Sequence, residues 1–265
     1  MRLRLAHLSD IHFGGENKAA VEGALEWLHR EATDLIVLTG DITSVATEDE
    51  FNAAAAWARA MPSTPVATPG NHDVPYVGPS EILERVFAPW RRWDARFGPR
   101  QVAHRRKGVA LTCVNTARSA QLRLNWSKGA ISRGQAAQAL ADLAAGGPAE
   151  LKVIACHHPL VEMIGGPMTA RVRGGEAAAR RFCEAGVDLI LTGHIHAPFA
   201  MPLPYGDGHA YAVGAGTLSR RERGVPPSFN AIAADETEIT VVAQAWTGSH
   251  FEPWRTWNLP RRRAA

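Results

Sequence analysis

Short apolar runs recur along the chain, and Ala-rich segments with helical periodicity lie between them. The runs are LRLAHL, DLIVLTG, TPVATPG, VALTCVN, LKVIACH and VDLILTG. The amphipathic segments are centred on AAVEGALEWLHR, EFNAAAAWARAM, GQAAQALADLAA and GGEAAARRFCEAG. Strands that alternate with helices in this way predict an α/β fold whose sheet is covered on both faces.

The pattern changes after about residue 208, where apolar segments follow one another with short turns and no long helical segment between them. These segments are HAYAVGAGTLS, SFNAIAADE, TEITVVAQAW and HFEPWRTWNL. They predict an antiparallel meander that completes a second sheet. Because no repeat, low-complexity linker or other boundary interrupts the chain, we expect one domain over residues 1–260 and a basic tail over residues 261–265.

Composition narrows the class of protein. Of the 265 residues, 46% are hydrophobic and 21% charged, which is typical of a globular soluble domain. No apolar stretch approaches the ~20 residues needed to span a bilayer. The N-terminus MRLRLAHLSD has a strand pattern instead of a secretory signal, so we expect a cytoplasmic protein. Cys113, Cys156 and Cys183 lie apart in apolar segments and are expected to be buried thiols.

The formal net charge is only +3, but basic residues cluster in WRRWDARFGPR, HRRK, SRRERG and the terminal RRR. Such clusters either contact phosphate groups or form solvated surface, and the second role is the more common one. Nucleic acid is therefore a possible partner that the sequence does not favour.

Polar side chains follow five of the apolar runs, at the point where each predicted strand ends. They are Asp10 and His12, Asp41, Asn71-His72-Asp73, His157-His158, and His194 with His196. Gly193 is expected to let the backbone turn sharply before the last pair. Each polar group alone is compatible with a turn or a cap. Together they predict one ligand-binding crevice outside the carboxyl ends of the strands.

The donor types indicate which ligand that crevice binds. Carboxylate, imidazole and amide oxygen suit Mn²⁺, Fe²⁺ or Fe³⁺, or Zn²⁺, and no thiolate is offered. Seven strong donors exceed the needs of one ion, so the sequence predicts two divalent transition-metal ions ~3.5–4 Å apart with one bridging carboxylate. The donors are Asp10, His12, Asp41, Asn71, His157, His194 and His196.

The ordered motifs D-x-H, GD, GNHD, H and GHxH resemble those of the calcineurin-like metallophosphoesterases. The resemblance implies a four-layer α/β/β/α sandwich of two mixed sheets with a dinuclear site. It further implies that Asp41 bridges the ions, that His72 is catalytic, and that His157 is the ligand in preference to His158. The same resemblance assigns the other donors to the two ions: Asp10, His12 and His196 to the first, and Asn71, His157 and His194 to the second.

Two details refine the resemblance. The chain has GDITSVA and GNHD where protein phosphatases have GDxVDRG and GNHE. Its HHP and AGTLSRRERG segments are similar to bacterial class III cyclic nucleotide phosphodiesterases. The implied function is hydrolysis of cyclic nucleotides such as cAMP, or of other small phosphodiesters. A nuclease or a phosphomonoesterase of the same fold are alternatives, and a non-catalytic scaffold would be expected to lack ligands that this chain retains.

The expected mechanism needs no nucleophilic side chain. A metal-bridging water loses its proton and attacks phosphorus. His72 then either donates a proton to the leaving oxygen or only orients a phosphate oxygen. Asp73, the second predicted catalytic residue, holds His72 or the loop by hydrogen bonds, or caps the turn that follows.

Substrate selectivity is expected in three long loops, which span residues 74–107, 117–131 and 160–175. Their aromatic residues either stack a nucleobase or, more commonly, pack against helices. These residues are Trp90, Trp93, Phe97 and Trp126. Candidate anchors for phosphate or for the loops are Arg171, Arg173, Arg220 and Arg221. The expected partner is a small phosphodiester, with no membrane contact, and a homo-oligomer is compatible with the sequence.

Overall fold

The computed structural model describes residues 2–119, 127–145, 147, 150–162 and 172–262. The strands are β1 Leu3–Leu8, β2 Leu35–Thr39, β3 Val66–Thr68, β4 Ala103–Arg106, β5 Val109–Cys113, β6 Leu151–Ala155, β7 Leu189–Thr192, β8 Phe199–Pro202, β9 Tyr211–Gly214, β10 Ser228–Ala234, β11 Glu238–Trp246 and β12 Phe251–Pro260. The helices are α1 Lys18–Arg30, α2 Glu48–Arg59, α3 Pro79–Phe87, α4 Arg91–Phe97, α5 Arg133–Ala144 and α6 Gly175–Glu184.

The strands form two sheets, each with six strands, in the orders β12-β11-β10-β1-β2-β3 and β4-β5-β6-β7-β9-β8. Both sheets are mixed. In the first, β1, β2 and β3 are parallel and the remaining pairs are antiparallel. In the second, β5, β6, β7 and β9 are parallel, and β4 and β8 close the two edges antiparallel. The predicted fold class is therefore confirmed.

The predicted antiparallel meander is present as β10, β11 and β12, which complete one of the two sheets. β10 pairs antiparallel with β1, with Leu3 opposite Ala234 and His7 opposite Asn230. The first strand that we expected in the meander, β9, is not part of it. Only β9 enters the second sheet, parallel to β7. Local turn signals predict which consecutive strands pair, but the partner of a strand at a distant edge depends on the tertiary fold.

Alternating side chains on the central strands produce the four layers, because successive residues of a strand point to opposite faces. On β1, Leu3 and Leu5 face the second sheet, while Ala6 and Leu8 pack under α1 and α2. On the second sheet, the opposite faces of β5, β6 and β7 pack under α5 and α6. The three cysteines are buried free thiols, as predicted.

Three of the predicted helices begin at side chains that satisfy the first free backbone amides. Asn17 Oδ1 accepts a hydrogen bond from the backbone amide of the third residue after it. Thr47 and Glu50 form a capping box on α2, and Ser132 and Gln135 form one on α5. The positions of α1, α2 and α5 therefore follow from local sequence, and they cover the outer faces of the sheets.

The segment after Asp73 differs from its prediction as a long loop, because it contains α3, α4 and β4. Helix α4 has the sequence RRWDARF, whose three arginines conceal its amphipathic pattern. All three of those arginines pair with carboxylates on neighbouring helices, Arg96 with Glu48. Arg92 Nε lies 3.1 Å from Glu84 Oε1, and Arg91 Nη2 lies 3.0 Å from Glu48 Oε1.

The aromatic residues of this segment pack against the helices. Trp93 is fully buried, stacks on Phe97 with ring centroids 4.8 Å apart, and meets Phe51 edge-on. Trp90 is partly buried against the same cluster. Core packing is therefore observed for Trp93, and Phe97 and Trp90 pack against the same cluster, whereas Trp126 lies outside the described residues.

The extent of the domain and the basic tail stay predictions. Arg262, within that tail, donates to Asp207 over 2.8 Å. Among the described residues, no helix combines the length and the apolar character needed to cross a membrane.

We predict that Trp93→Ala lowers the free energy of unfolding by ~3 kcal/mol, because it leaves a large cavity beside Phe51 and Phe97. Trp254→Ala is the matched control. Trp254 is 46% exposed on β12, so its loss should change stability by only ~0.5 kcal/mol. Urea unfolding of both variants measures the difference, and equal values would contradict the packing described for α4.

Candidate metal centre

The predicted donors converge where strands of the two sheets end. Asp10 and His12 follow β1, Asp41 follows β2, His157 follows β6, and His194 and His196 follow β7. Ligand atoms lie within 4.8 Å of one another in four overlapping groups. These groups are Asp10-His12-His196, Asp10-Asp41-His157, His12-Asp41-His72 and His157-His158-His194.

Asp41 lies between the two halves of this cluster. Its Oδ2 is 3.2 Å from His157 Nε2 on one side and 4.0 Å from His12 Nε2 on the other. On the His12 side, Asp10 Oδ1 is 3.1 Å from His196 Nε2 and 3.8 Å from His12 Nε2. One buried carboxylate is thus shared by two sets of imidazoles.

The backbone is strained at the predicted donors. Asp10, His12, Asp41, His194 and His196 have positive φ, at 54°, 52°, 49°, 69° and 59°. A left-handed conformation costs a residue with a β-carbon ~1–3 kcal/mol, and such strain clusters at functional sites. Asp10, Asp41 and His194 turn back two residues after a strand ends, and His12 and His196 two residues further on, which brings each side chain into the crevice instead of onto a sheet face.

Gly193 has a different role from the predicted one. It allows close approach: a β-carbon there would lie 1.8 Å from Ser9 Oγ and 2.4 Å from Asp10 Oδ2. The next amide, of His194, donates to that same Asp10 oxygen over 2.9 Å. Gly70 is similar, since its β-carbon would lie 2.2 Å from Asp41 Oδ1. These glycines let loops from different strands contact the two carboxylates.

Backbone carbonyls orient two of the histidines. His157 Nδ1 lies 2.7 Å from Thr39 O, and His196 Nδ1 lies 2.9 Å from Arg221 O. Because a carbonyl only accepts, each Nδ1 carries a proton, and in the neutral ring each Nε2 presents a lone pair to the crevice. This is the tautomer that binds a metal ion.

His158 is close to the cluster, but both its ring nitrogens are engaged elsewhere. Nε2 donates to Ser127 O over 2.7 Å, and Nδ1 accepts from Thr116 Oγ1 over 2.9 Å. His158 therefore forms part of the wall behind His157 and His194.

The charges in the cluster suit a cation. Burial, the largest effect, would raise the pKa of Asp10, but the charge and hydrogen bond of His196 and the charge of His157 together hold that pKa below its usual range. Burial likewise opposes ionisation of Asp41, whose pKa the charges of nearby histidines, His157 first, hold well below its usual value. Burial opposes protonation of His157, yet the Asp41 charge raises its pKa to about 9. Burial lowers the pKa of His12 to about 3. Two ionised carboxylates thus face imidazoles in a buried crevice.

Unsatisfied polar atoms show that the donor set fits metal ions. Over the part of the chain that the structure describes, Asn71 Oδ1, Asp10 Oδ1 and His157 Nε2 are buried without a well-aligned hydrogen bond. Buried acceptors of this kind are rare unless a water or an ion satisfies them. Their oxygen and nitrogen chemistry matches divalent transition metals.

His72 lies at the edge of the cluster. Its Nδ1 donates to Ser44 O over 2.7 Å, so Nε2 is left as the acceptor, 3.3 Å from Arg221 Nη1. Its amide donates to Asp41 Oδ1 over 2.8 Å. The ring meets His12 edge-on at 4.8 Å.

Asp73 is fully buried, and its carboxylate bonds to the backbone. It accepts from the amides of Gly70 and Thr43, each over 2.8 Å, and from Thr43 Oγ1 over 2.8 Å. Burial and the Asp41 charge raise the pKa of Asp73 to about 6. Within the described residues, no hydrogen bond joins this carboxylate to the His72 ring.

Sequence reasoning did not identify the supporting groups. The carbonyls of Thr39 and Ser44 orient histidines, and no side-chain pattern marks a carbonyl. Of the four arginines considered, only Arg221 has a side-chain contact to the predicted site among the described residues. Arg171 lies outside them. A pair of adjacent arginines carries no signal that one side chain enters the crevice.

Solved structures share this fold at low sequence identity. A purple acid phosphatase from yellow lupin (Lupinus luteus) seeds has a TM-score of 0.72 at 11% identity, over 98% of this chain and 54% of that chain. PhoD has a TM-score of 0.71 at 11% identity, over 98% of this chain and 70% of that one. A dimetal phosphatase from Danio rerio has a TM-score of 0.68 at 12% identity, over 98% of this chain and 99% of that chain.

No curated protein sequence matches the chain. The sequence model of the Calcineurin-like phosphoesterase family matches residues 3–198, which include all the predicted donors. With its motifs at the strand ends and its two mixed sheets, the chain belongs to the calcineurin-like phosphoesterase family.

Proposed function

We propose that this metallophosphoesterase is a dinuclear phosphodiesterase that hydrolyses cyclic nucleotides such as cAMP, or other small phosphodiesters. The observation that carries the proposal is the position of Asp41, whose carboxylate belongs to one donor group with His12 and to another with His157. A shared buried carboxylate is what two neighbouring ions require. The retained donors argue against a non-catalytic scaffold.

The proposed ligand sets follow from the contacts. Asp10, His12 and His196 would hold one ion, and Asn71, His157 and His194 the other, with Asp41 common to both. Asp10 and His196 are already 3.1 Å apart, and Asn71 Oδ1 is buried without a partner. Bound ions would supply Lewis acidity that activates water and would neutralise the charge of the phosphate ester.

His72 is proposed to assist the leaving group. Its backbone is fixed by Asp41, its ring is fixed by Ser44 O, and its Nε2 faces the crevice. In its imidazolium form, with a second proton on Nε2, a side chain held in this way can donate a proton or hydrogen bond to the departing oxygen. Asp73 touches none of the reacting positions, so we assign it a positioning role. It ties the Thr43 loop to the Gly70 loop beneath His72.

Preference for diesters rests on the loop after Asp41. Protein phosphatases have an arginine in this loop, but here the same stretch is ITSVA. The Thr43 hydroxyl donates to Asp73, and Ser44 Oγ accepts from Arg221 Nη2. This loop therefore contributes no cation of its own. A monoanionic diester demands less positive charge than a dianionic monoester.

The cytoplasmic location stays a prediction.

The first prediction concerns metal content. Asp41→Ala should reduce binding from about two ions per chain to nearly none, because each ion loses the shared carboxylate. Asp49→Ala, on an exposed turn of α2, is the control and should keep both ions. Elemental analysis after metal loading measures this. A variant that retains one tightly bound ion would show that Asp41 serves a single ion.

The second prediction concerns substrate class. With Mn²⁺ added to metal-stripped protein, kcat/KM for cyclic AMP or bis-p-nitrophenyl phosphate should exceed that for p-nitrophenyl phosphate. Single-stranded DNA in the same panel tests the nuclease alternative. If the monoester or a phosphopeptide is the better substrate, the diesterase assignment is wrong while the metal site stands.

The third prediction concerns His72. His72→Ala should keep both ions and lose ~10²–10⁴-fold in kcat on a diester with an alkoxide leaving group, the usual contribution of a general acid. The loss should be much smaller for p-nitrophenolate, which departs without a proton. His250→Ala, in an exposed turn, is the control. Equal losses on both diesters would assign His72 to binding or positioning.

A further inference from the structure

Arg221 lies outside the family match, which ends at residue 198, in the segment between β9 and β10. Its backbone is nevertheless part of the metal centre, because its carbonyl accepts from His196 Nδ1 over 2.9 Å. Its amide donates to Ser219 Oγ over 3.2 Å. The main chain of Arg221 is therefore held on the first half of the donor cluster.

The side chain of Arg221 extends from there toward His72. Nη1 lies 3.3 Å from His72 Nε2, and Nη2 lies 3.3 Å from Ser44 Oγ. Neither partner is a carboxylate, and both contacts are at long hydrogen-bond distance. Within the described parts of the chain, Arg221 forms no salt bridge, although residue 221 is exposed at the mouth of the crevice.

Two other arginines of the fold have a different kind of partner. Arg92 and Arg262 each have a carboxylate partner, at Glu84 and Asp207. Arg221 instead directs two N–H groups of a planar fork at a hydroxyl and an imidazole. A phosphate oxygen is a stronger acceptor than either, and a guanidinium binds phosphate with two parallel hydrogen bonds.

We propose that Arg221 is the phosphate-binding residue of the site. It exchanges its contacts with His72 Nε2 and Ser44 Oγ for oxygens of a bound phosphate ester. The exchange leaves His72 Nε2 free to face the leaving oxygen. This assignment rests on the proposed function for the identity of the ligand as a phosphate ester, and it adds a specificity-determining cation that the family motifs do not contain.

The competing explanation is that the side chain of Arg221 serves only to hold the Ser44 and His72 loops together. In that case its loss would disturb metal content or stability but not the affinity of a loaded site for phosphate. The backbone contact to His196 survives any substitution of the side chain. Side-chain variants therefore separate the two roles.

The test compares Arg221→Gln and Arg221→Lys with Arg220→Gln. Residue 220 is exposed beside it, and within the described residues its side chain makes no hydrogen bond or salt bridge. The Mn²⁺-loaded proteins are titrated with inorganic phosphate by calorimetry, and metal content and Tm are measured in parallel. We expect about a 10- to 100-fold weaker Kd for Arg221→Gln, from loss of charge-assisted hydrogen bonds. Arg221→Lys should recover part of the affinity and Arg220→Gln should match the wild type.

Unchanged phosphate affinity in metal-replete Arg221→Gln would overturn the proposal, and so would a wild type that does not bind phosphate. Loss of metal with unchanged affinity of the remaining sites would assign the side chain to structure, which also overturns it. Diester hydrolysis is assayed on the same samples. Arg221-dependent phosphate binding without diesterase activity would support this inference and contradict the proposed function, so the two failures are distinguishable.

Discussion

Two ionised carboxylates, Asp10 and Asp41, are buried side by side at the ends of adjacent strands, and the surrounding structure depends on keeping them there. Each one opposes the ionisation of the other, and burial opposes both. Cationic imidazoles offset this cost in the absence of metal. Removing water from a pair of like charges is unfavourable unless positive charge replaces it. The donor cluster is therefore a site built for cations.

The fold supplies the geometry by accepting local strain. Five donors take left-handed backbone, and glycines at 70 and 193 remove β-carbons that would overlap the carboxylates. The strands beneath are buried on both faces, so the sheets hold these turns in place. Asp73 and the carbonyl of Thr39 then fix the loops and the ring tautomers. The rigid sheets and the strained turns that follow their strands together orient the donor side chains toward common points.

Much of this could be predicted, because the informative features are local. Apolar runs that end in Asp or His identify both the strands and the donors that follow them. The sheet that each late strand joins is set by the tertiary fold, so the sequence did not show that β9 pairs with β7 instead of joining the meander. Helix α4 was missed because its arginines conceal the apolar face and are paired with carboxylates on other helices, which the local sequence does not show. The sequence does not show which of Arg220 and Arg221 contacts the site, because only the conformation of the turn after β9 decides which side chain meets His72.

The central claim is that two metal ions share Asp41. Anomalous diffraction at the manganese edge from crystals grown with Mn²⁺ tests it most directly. The account predicts two peaks ~3.5–4 Å apart on either side of the Asp41 carboxylate. One peak should lie among Asp10, His12 and His196, and the other among Asn71, His157 and His194. A single peak, or two peaks that do not both contact Asp41, would contradict it.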